Sequence, residues 1–130
     1  MSQENVETAL ALFAASSPLQ ELAPRMAQEV EFDFTAIYPD QPVLRGLAEM
    51  RRFRDESPWG RSMHFEPQRY FDVDDERVLV FVRATATGQG SGAPTETAIA
   101  HEFSFRDGQI VRVKVYLDRA AALEASGLPG

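Results

Sequence analysis

The sequence predicts an α+β fold in which a curved, mostly antiparallel sheet wraps around N-terminal helices. Apolar residues recur at helical spacing near the N-terminus, and apolar and polar residues alternate through most of the second half. The elements follow in the order helix, helix, strand, helix, then a run of strands, which excludes a parallel sheet with alternating helical crossovers. Helices therefore cover one face of the sheet, and the space between them becomes an apolar small-molecule pocket if the sheet curls.

Two helices are predicted in the first part of the chain. The apolar stripe of the first helix comprises Val6, Leu10 and Phe13. Pro18 ends this helix and can begin the next one, because proline lacks the N–H that a helix interior needs. The second helix is short, includes Met26, and is shortened or kinked by Pro24. A third helix is predicted over residues 46–57, where apolar residues return to helical spacing.

The remaining segments have the two-residue period of strands. Val30, Phe32 and Phe34 alternate with acidic residues, and the proline-containing residues 35–44 are expected to form a loop. We expect further strands over residues 65–73, 78–87, 95–105 and 109–117, and a last helix over residues 119–125.

Prolines and glycines mark how these strands connect. Pro67 indicates an edge strand or a bulge, because proline cannot donate to a ladder. Asp107-Gly108 is typical of a tight hairpin turn, and Gly127 is typical of the residue that ends a helix. Residues 88–92 are rich in glycine, but they lie between two strands and therefore indicate a hairpin tip rather than a phosphate-binding loop.

Length and composition indicate an ordinary globular protein, and we expect a single domain over residues 1–130. The hydrophobic share is 44% and the charged share 25%, so the chain needs no metal or disulfide for its stability. There is no cysteine, which excludes thiolate zinc sites, redox pairs and disulfides and fits a reducing cytoplasm. We expect no cofactor, and His64 and His101 lack a third ligand that would complete a metal site.

Charge and hydropathy make a nucleic-acid or membrane partner unexpected. The formal net charge is −7, and Lys114 is the one lysine, whereas a phosphate backbone is bound through clustered cations. The arginines at residues 51–54 lie among acids and are interpreted as a solvated helix face. The longest apolar run, residues 9–15, is too short to span a bilayer, and the acidic Glu4 and Glu7 before it do not suit a signal peptide.

Several segments resemble a known family. They are residues 1–7 (Met-Ser-Gln-Glu-Asn-Val-Glu), Arg45-Gly46, residues 103–111 (Phe-Ser-Phe-Arg-Asp-Gly-Gln-Ile-Val), residues 116–120 and residues 122–125. These resemble SnoaL-like proteins of the nuclear-transport-factor-2-like superfamily, which also includes ketosteroid isomerases, limonene epoxide hydrolases and polyketide cyclases. The resemblance covers nearly the whole chain and implies a cone of helices inside a strongly bent sheet. It also implies a homodimer formed through the outer face of that sheet.

The resemblance to ketosteroid isomerases implies three positions to compare. His101 stands where those enzymes carry a protonated aspartate that donates a hydrogen bond to the developing oxyanion. Leu10 replaces the tyrosine donor, and Phe34 replaces the carboxylate base. Asp33 is one residue away and can fill the base role only if the strand is bulged, because a one-residue shift reverses the face of a strand side chain.

Two other activities of the superfamily match less well. The epoxide-hydrolase pattern requires two aspartates and an arginine, but Val78, Val80 and Val115 occupy those positions, so that chemistry is excluded. The polyketide-cyclase pattern implies one acid/base residue in an apolar chamber. Val113 and Val115 face that chamber in place of a carboxylate, which leaves His101 as the candidate proton carrier.

The sequence therefore predicts His101, and less directly Asp33, as catalytic residues. The predicted substrate-binding walls are Phe13, Phe32, Phe34, Tyr38, Trp59, Phe103, Val113, Val115 and Leu117. A histidine titrates near neutrality and suits either proton transfer or hydrogen bonding to a carbonyl. Three functions stay open: a proton-transfer enzyme acting on a hydrophobic carbonyl compound, a binding protein with the same pocket and no chemistry, and an association module. His101 could equally be a core histidine bonded to a neighbouring protein group.

Overall fold

A computed structural model describes residues 2–14, 18–36, 43–56, 63–87 and 94–128. The helices are α1 (Ser2–Ala14), α2 (Pro18–Glu21), a 3₁₀ helix (Ala23–Arg25), α3 (Gly46–Glu56) and α4 (Arg119–Ala125). The strands are β1 (Met26–Asp33), β2 (Leu44–Arg45), β3 (Met63–Asp74), β4 (Arg77–Thr87), β5 (Pro94–Arg106) and β6 (Gln109–Tyr116). Helices and strands thus follow one another in the predicted order.

The strands described form a single sheet in the order β2-β1-β6-β5-β4-β3. Every neighbouring pair is antiparallel except β1 and β6, which are parallel. The predicted α+β class with a mostly antiparallel sheet is therefore confirmed. Within the described ranges, no helix is long and apolar enough to cross a membrane.

The predicted boundaries are wrong in the segment around Pro24. The second helix ends at Glu21, and a 3₁₀ turn that contains Pro24 follows it. Met26 has extended backbone angles, φ −111° and ψ 140°, and begins β1 instead of closing the helix. The predicted loop over residues 35–44 also extends one residue too far, because Leu44 belongs to β2 and pairs with Phe32 of β1.

The predicted edge strand and turn residues are confirmed. The strand β3 lies at one edge of the sheet, and its register with β4 shifts between Pro67 and Arg69, which is the expected bulge. Asp107 and Gly108 both have positive φ, 52° and 79°, as a tight hairpin turn requires. Gly127 ends α4 with φ 75°. The predicted hairpin tip at residues 88–92 lies outside the described residues.

The two faces of the sheet have different chemical characters. We call the face that packs against α1 and α3 the inner face. Its buried core comprises Val30, Phe32, Val78, Val80, Val82, Ile99, Phe103, Phe105, Ile110, Val113 and Val115, together with Val6 and Ala9 of α1. The outer face is covered in part by α4, whose Ala122 packs against Leu79 and Ala100. Alternation along each strand thus separates an apolar inner side from a mixed outer side.

Gly46 joins β2 to α3 in a conformation that favours glycine. Its φ is +81°, and a Cβ at this position would lie 3.5 Å from the backbone oxygen of Gln28, an ordinary contact. The backbone conformation rather than crowding therefore requires glycine here.

We expect Gly46→Ala to lower the free energy of unfolding by about 1–2 kcal/mol, because a left-handed backbone is strained for alanine. Gly46→Asn should cost less, since asparagine tolerates this conformation. Urea denaturation measures both values. Equal losses in the two variants would show that a steric contact, and not the backbone angle, constrains the site.

Candidate ligand site around His101

His101 lies on the inner face in the middle of the sheet. Along β5 it shares this face with Ile99 and Phe103, because side chains alternate with a period of two. Its cross-strand partners are Val80 on β4 and Val115 on β6, both fully buried. The imidazole of His101 is thus enclosed by apolar side chains of both neighbouring strands.

Three aromatic rings surround the imidazole of His101. Phe13 of α1 presents its edge at a centroid distance of 5.3 Å, and Phe65 of β3 does so at 5.4 Å. Phe103 is stacked at 6.1 Å, with an interplanar angle of 20°. A helix, an edge strand and the histidine's own strand therefore fix the ring from three directions.

The Nδ1 atom of His101 has an unmet hydrogen-bonding need. The residue is 4% exposed, and Nδ1 is buried with no hydrogen-bond partner among the residues described. An unpaired buried polar atom costs about 1–3 kcal/mol, and most buried polar groups in native proteins are bonded. Among the described residues, this weakens the interpretation of His101 as a satisfied core histidine and leaves Nδ1 open to a partner outside them.

Burial also fixes the charge of His101. Loss of contact with water lowers the pKa of His101 from its ordinary 6.5 to about 4, because the charged imidazolium is poorly stabilised among apolar side chains. The side chain is therefore neutral at pH 7. Within the described part of the chain, no ionisable side chain forms a hydrogen bond with His101. Acid/base catalysis by a pair of side chains would need such a partner.

Asp33, the other predicted catalytic residue, lies on the outer face. It pairs in register with Lys114, whereas its neighbour Phe32 pairs with the inner Val113. The shift in register of β1 lies between Met26 and Glu31, so it does not turn Asp33 inward. The bulge that the base role requires is absent from this part of β1, and the structure does not bring Asp33 and His101 together.

The contacts of Asp33 stabilise its ionised form. Its Oδ1 accepts hydrogen bonds from the backbone N–H of Thr35 at 3.1 Å and from the Thr35 hydroxyl at 2.6 Å, and its Oδ2 lies 3.3 Å from Nη2 of Arg112. Burial alone would raise the pKa of Asp33, but these hydrogen bonds and the nearby cations outweigh it. The pKa therefore lies below its ordinary value, opposite to what a general base near neutrality needs.

A polar network on the outer face was not predicted from the sequence. Glu102 is buried and accepts hydrogen bonds from the hydroxyls of Tyr116, at 3.4 Å, and Ser126, at 3.2 Å. Burial and the charge of Glu102 raise the pKa of Tyr116. The polar residues that alternate with the apolar ones along β5 and β6 were the available signal, but the sequence does not show that α4 buries them.

The structure separates the predicted wall residues into three groups. Phe32, Phe103, Val113 and Val115 are buried on the inner face, and Phe13 packs against it. Phe34 follows the end of β1 and is half-buried, with its ring centroid 6.2 Å from that of Phe32 and 5.9 Å from that of Phe53. Leu117 lies just beyond β6 and is 49% exposed, so it does not close a chamber. Tyr38 and Trp59 lie outside the described residues.

Phe65 contacts His101 but was not among the predicted wall residues. The nearby Pro67 made the face of this strand ambiguous, because a bulge changes which residues point inward. In the structure the register shift follows Pro67, and Phe65 still pairs with Ala84 on the inner face.

A separate cleft of about 420 Å³ lies at the end of the sheet where β3 joins β4 and β5 joins β6. It is lined by Glu4, Asn5, Asp75, Glu76, Phe105, Arg106, Asp107 and Gly108, and so is mostly polar. Asn5 donates to the backbone oxygen of Asp75 at 2.8 Å and is therefore already bonded. Across the described residues, no group of three or more metal-ligating side chains is found.

The model of the SnoaL-like domain family matches residues 3–113. Solved structures share the fold. TerC, co-crystallised with polyporic acid, has a TM-score of 0.75 at 23% identity, covering 95% of this chain and 98% of its own. A protein of ketosteroid isomerase-like fold from Catenulispora acidiphila DSM 44928, in complex with trimethylamine, has a TM-score of 0.68 at 18% identity, covering 95% and 94%.

A third similar structure is SalBIII, an epoxide hydrolase/cyclase-like enzyme of pyran ring formation in the polyether salinomycin. Its TM-score is 0.70 at 15% identity, and the match covers 92% of this chain and 96% of SalBIII. No protein of curated function matches the sequence. At these identities the similarities show the fold and do not identify a reaction.

We expect the buried neutral state of His101 to make stability depend on pH. Between pH 6.5 and about 4, the unfolded chain binds a proton at this residue and the folded chain does not, so stability falls as the pH falls. The loss attributable to His101 reaches about 3 kcal/mol.

Urea denaturation across this pH range, compared between the wild type and His101→Gln, isolates this loss because the other ionisable groups are shared. The free energy of unfolding of the wild type, measured relative to that of His101→Gln at the same pH, should fall steadily as the pH falls below 6.5. Parallel curves would contradict the neutral, buried histidine.

Proposed function

This chain belongs to the SnoaL-like family, and we propose that it binds a hydrophobic carbonyl compound on its inner face and promotes an isomerase- or cyclase-type proton transfer there. The observation that carries this proposal is the buried Nδ1 atom of His101, which has no partner among the described residues. The carbonyl group of a bound ligand would supply that partner. The aromatic rings of Phe13, Phe65 and Phe103 would pack against the apolar part of the ligand.

A neutral imidazole is better suited to donate a hydrogen bond than to act as a general base. An imidazole whose pKa is about 4 is a weak proton acceptor at neutral pH and a poor general base. With its proton on Nδ1, the same ring can donate a hydrogen bond to a carbonyl oxygen. This bond polarises the carbonyl and makes the hydrogens on the adjacent carbon more acidic, as neutral histidine does in known isomerases. One such proton would pass to solvent water, and a proton from solvent would be returned to the resulting enol. His101 is thus proposed as a hydrogen-bond donor to the developing oxyanion.

A second candidate is a binding protein that uses the same site without chemistry. It is favoured by the position of Asp33, which lies on the outer face and is held ionised by Thr35 and Arg112. Among the described residues, the buried carboxylates Asp33 and Glu102 lie on the outer face. Asp72, which pairs with the inner Val78, is exposed on the edge strand β3. In this alternative His101 only orients the carbonyl group.

We expect His101→Gln and His101→Phe to separate these candidates. Ligand retained by the purified protein is identified by native mass spectrometry, and exchange of the hydrogens next to its carbonyl group for deuterium is followed by NMR. His101→Phe should weaken binding about 10-fold, because a buried carbonyl loses its donor. If catalysis occurs, exchange should fall by about 100-fold or more, since the bond strengthens in the transition state.

Asp33→Asn is the matched control. It removes a carboxylate from the outer face and should lower stability by about 1 kcal/mol while leaving ligand binding and exchange unchanged. Binding lost with His101→Phe but no exchange in the wild type would favour the binding protein. Binding that is unaffected by both His101 variants would contradict the proposed site altogether.

We also infer that two copies associate through the outer face of the sheet. Charges of both signs alternate there, with Arg83 lying 2.7 Å from Glu66 and 3.7 Å from Glu96. These side chains are between 39% and 60% exposed, and a two-fold axis would place acids of one copy against arginines of the other. A surface with charges of both signs can therefore pair with the same surface of a second copy.

Sedimentation velocity should therefore show a dimer, and Arg83→Glu should shift it towards monomer because like charges then meet across the two-fold axis. Arg52→Glu, an exposed change on α3, is the control and should leave the dimer intact. Wild-type protein that sediments as monomer at every concentration would contradict this interface.

A further inference from the structure

The inner face lacks a positive charge near His101 in the part of the chain that the structure describes. The residues packed around the imidazole are apolar or aromatic, and the buried members of the same cluster are aliphatic or aromatic throughout. His101 itself is neutral at pH 7 because burial lowers its pKa to about 4. A negatively charged ligand would therefore meet no compensating cation among these groups.

The cations of the neighbouring strands point the other way and have partners there. Arg112 binds Asp33 on the outer face, and Nζ of Lys114 lies 5.0 Å from the ring centre of Tyr116. Arg83 is paired with acidic side chains. In the register of the sheet these residues alternate with the inner valines, so none can turn to the inner face without a slip of its strand.

Two further arginines are held by other contacts. Arg25, just before β1, donates to the hydroxyl of Thr8 at 2.7 Å. Arg119 lies over the ring of Phe81 and donates to the backbone oxygens of Ile99 and Val82, at 3.2 and 3.1 Å. Arg25 and Arg119 are thus both engaged by groups other than His101.

From this arrangement we infer that the site selects uncharged carbonyl compounds and rejects carboxylates of the same shape. The inference rests on the proposed function and specifies the class of its ligand. A carboxylate that enters must leave its hydration shell, and the transfer of an ion to an apolar site without a counter-ion is costly. A ketone, aldehyde or ester of equal size loses far less hydration and recovers part of it through the Nδ1 hydrogen bond.

A matched pair of probes tests this selection. 2-Acetylnaphthalene and 2-naphthoate have the same ring system and nearly the same volume, but only the second carries a charge at pH 7.5. Titration of isotope-labelled protein, followed through the NMR signals of the His101 ring, gives both dissociation constants. The ketone should bind at least about 100-fold more tightly.

A variant that adds the missing charge extends the test. Phe65 contacts His101 from an edge strand and is only partly buried, so Phe65→Arg can place a guanidinium beside the imidazole. This change should raise the affinity for 2-naphthoate about 10-fold or more relative to Phe65→Met, which keeps the size without the charge.

The outcomes separate the inference from the function on which it rests. If both probes bind wild-type protein equally and perturb the His101 ring, the selection is overturned and the proposed site stands. If neither probe perturbs the ring, the proposed site and the selection both fail. Equal 2-naphthoate affinity in the arginine and methionine variants would show that charge does not control entry, which also overturns the selection.

Discussion

The register of β5 is the constraint on which the rest of the structure depends. His101 and Glu102 are adjacent and both buried, but they lie on opposite faces. A slip of one residue would bring Glu102 among the apolar residues and expel His101, at the cost of an unpaired buried charge. The register of β5 is therefore favoured from both sides of the sheet. On the inner side His101 packs against apolar residues, and on the outer side Glu102 accepts hydrogen bonds from two hydroxyls.

Separation of charges by face explains how an acidic chain keeps an apolar inner face. On the outer face, Arg83 of β4 pairs with Glu66 of β3, and Arg112 of β6 pairs with Asp33 of β1. Glu102 of β5 accepts a hydrogen bond there from Ser126, which follows α4. The inner face retains a single titratable group among the described residues that form its core, and burial keeps that group neutral. A ligand of the kind proposed would be bound there through shape, apolar contact and one hydrogen bond.

The fold could be predicted from the sequence because its signals are local and repeated. The period of two along β5, the proline in β3 and the turn at Asp107-Gly108 each predict the structure that is observed. The site could be predicted only in part. The inward position of His101 was predicted through alternation and resemblance, and its role in catalysis stays a prediction. The side of the sheet on which Asp33 lies depends on where β1 bulges. The aromatic contact of Phe65 and the burial of Glu102 come from segments distant in sequence, and no local pattern contains them.

The position of Phe65 on an edge strand has a consequence for motion. Two of the three rings around His101 belong to α1 and to β5 itself, but the third belongs to β3, which is hydrogen-bonded on one side only and interrupted by a bulge at Pro67. Strands at a sheet margin open at a fraction of the free energy of global unfolding. Fraying of β3 would thus admit solvent or a solute to the imidazole while the central strands stay paired, so the rate of entry would depend on how often β3 opens.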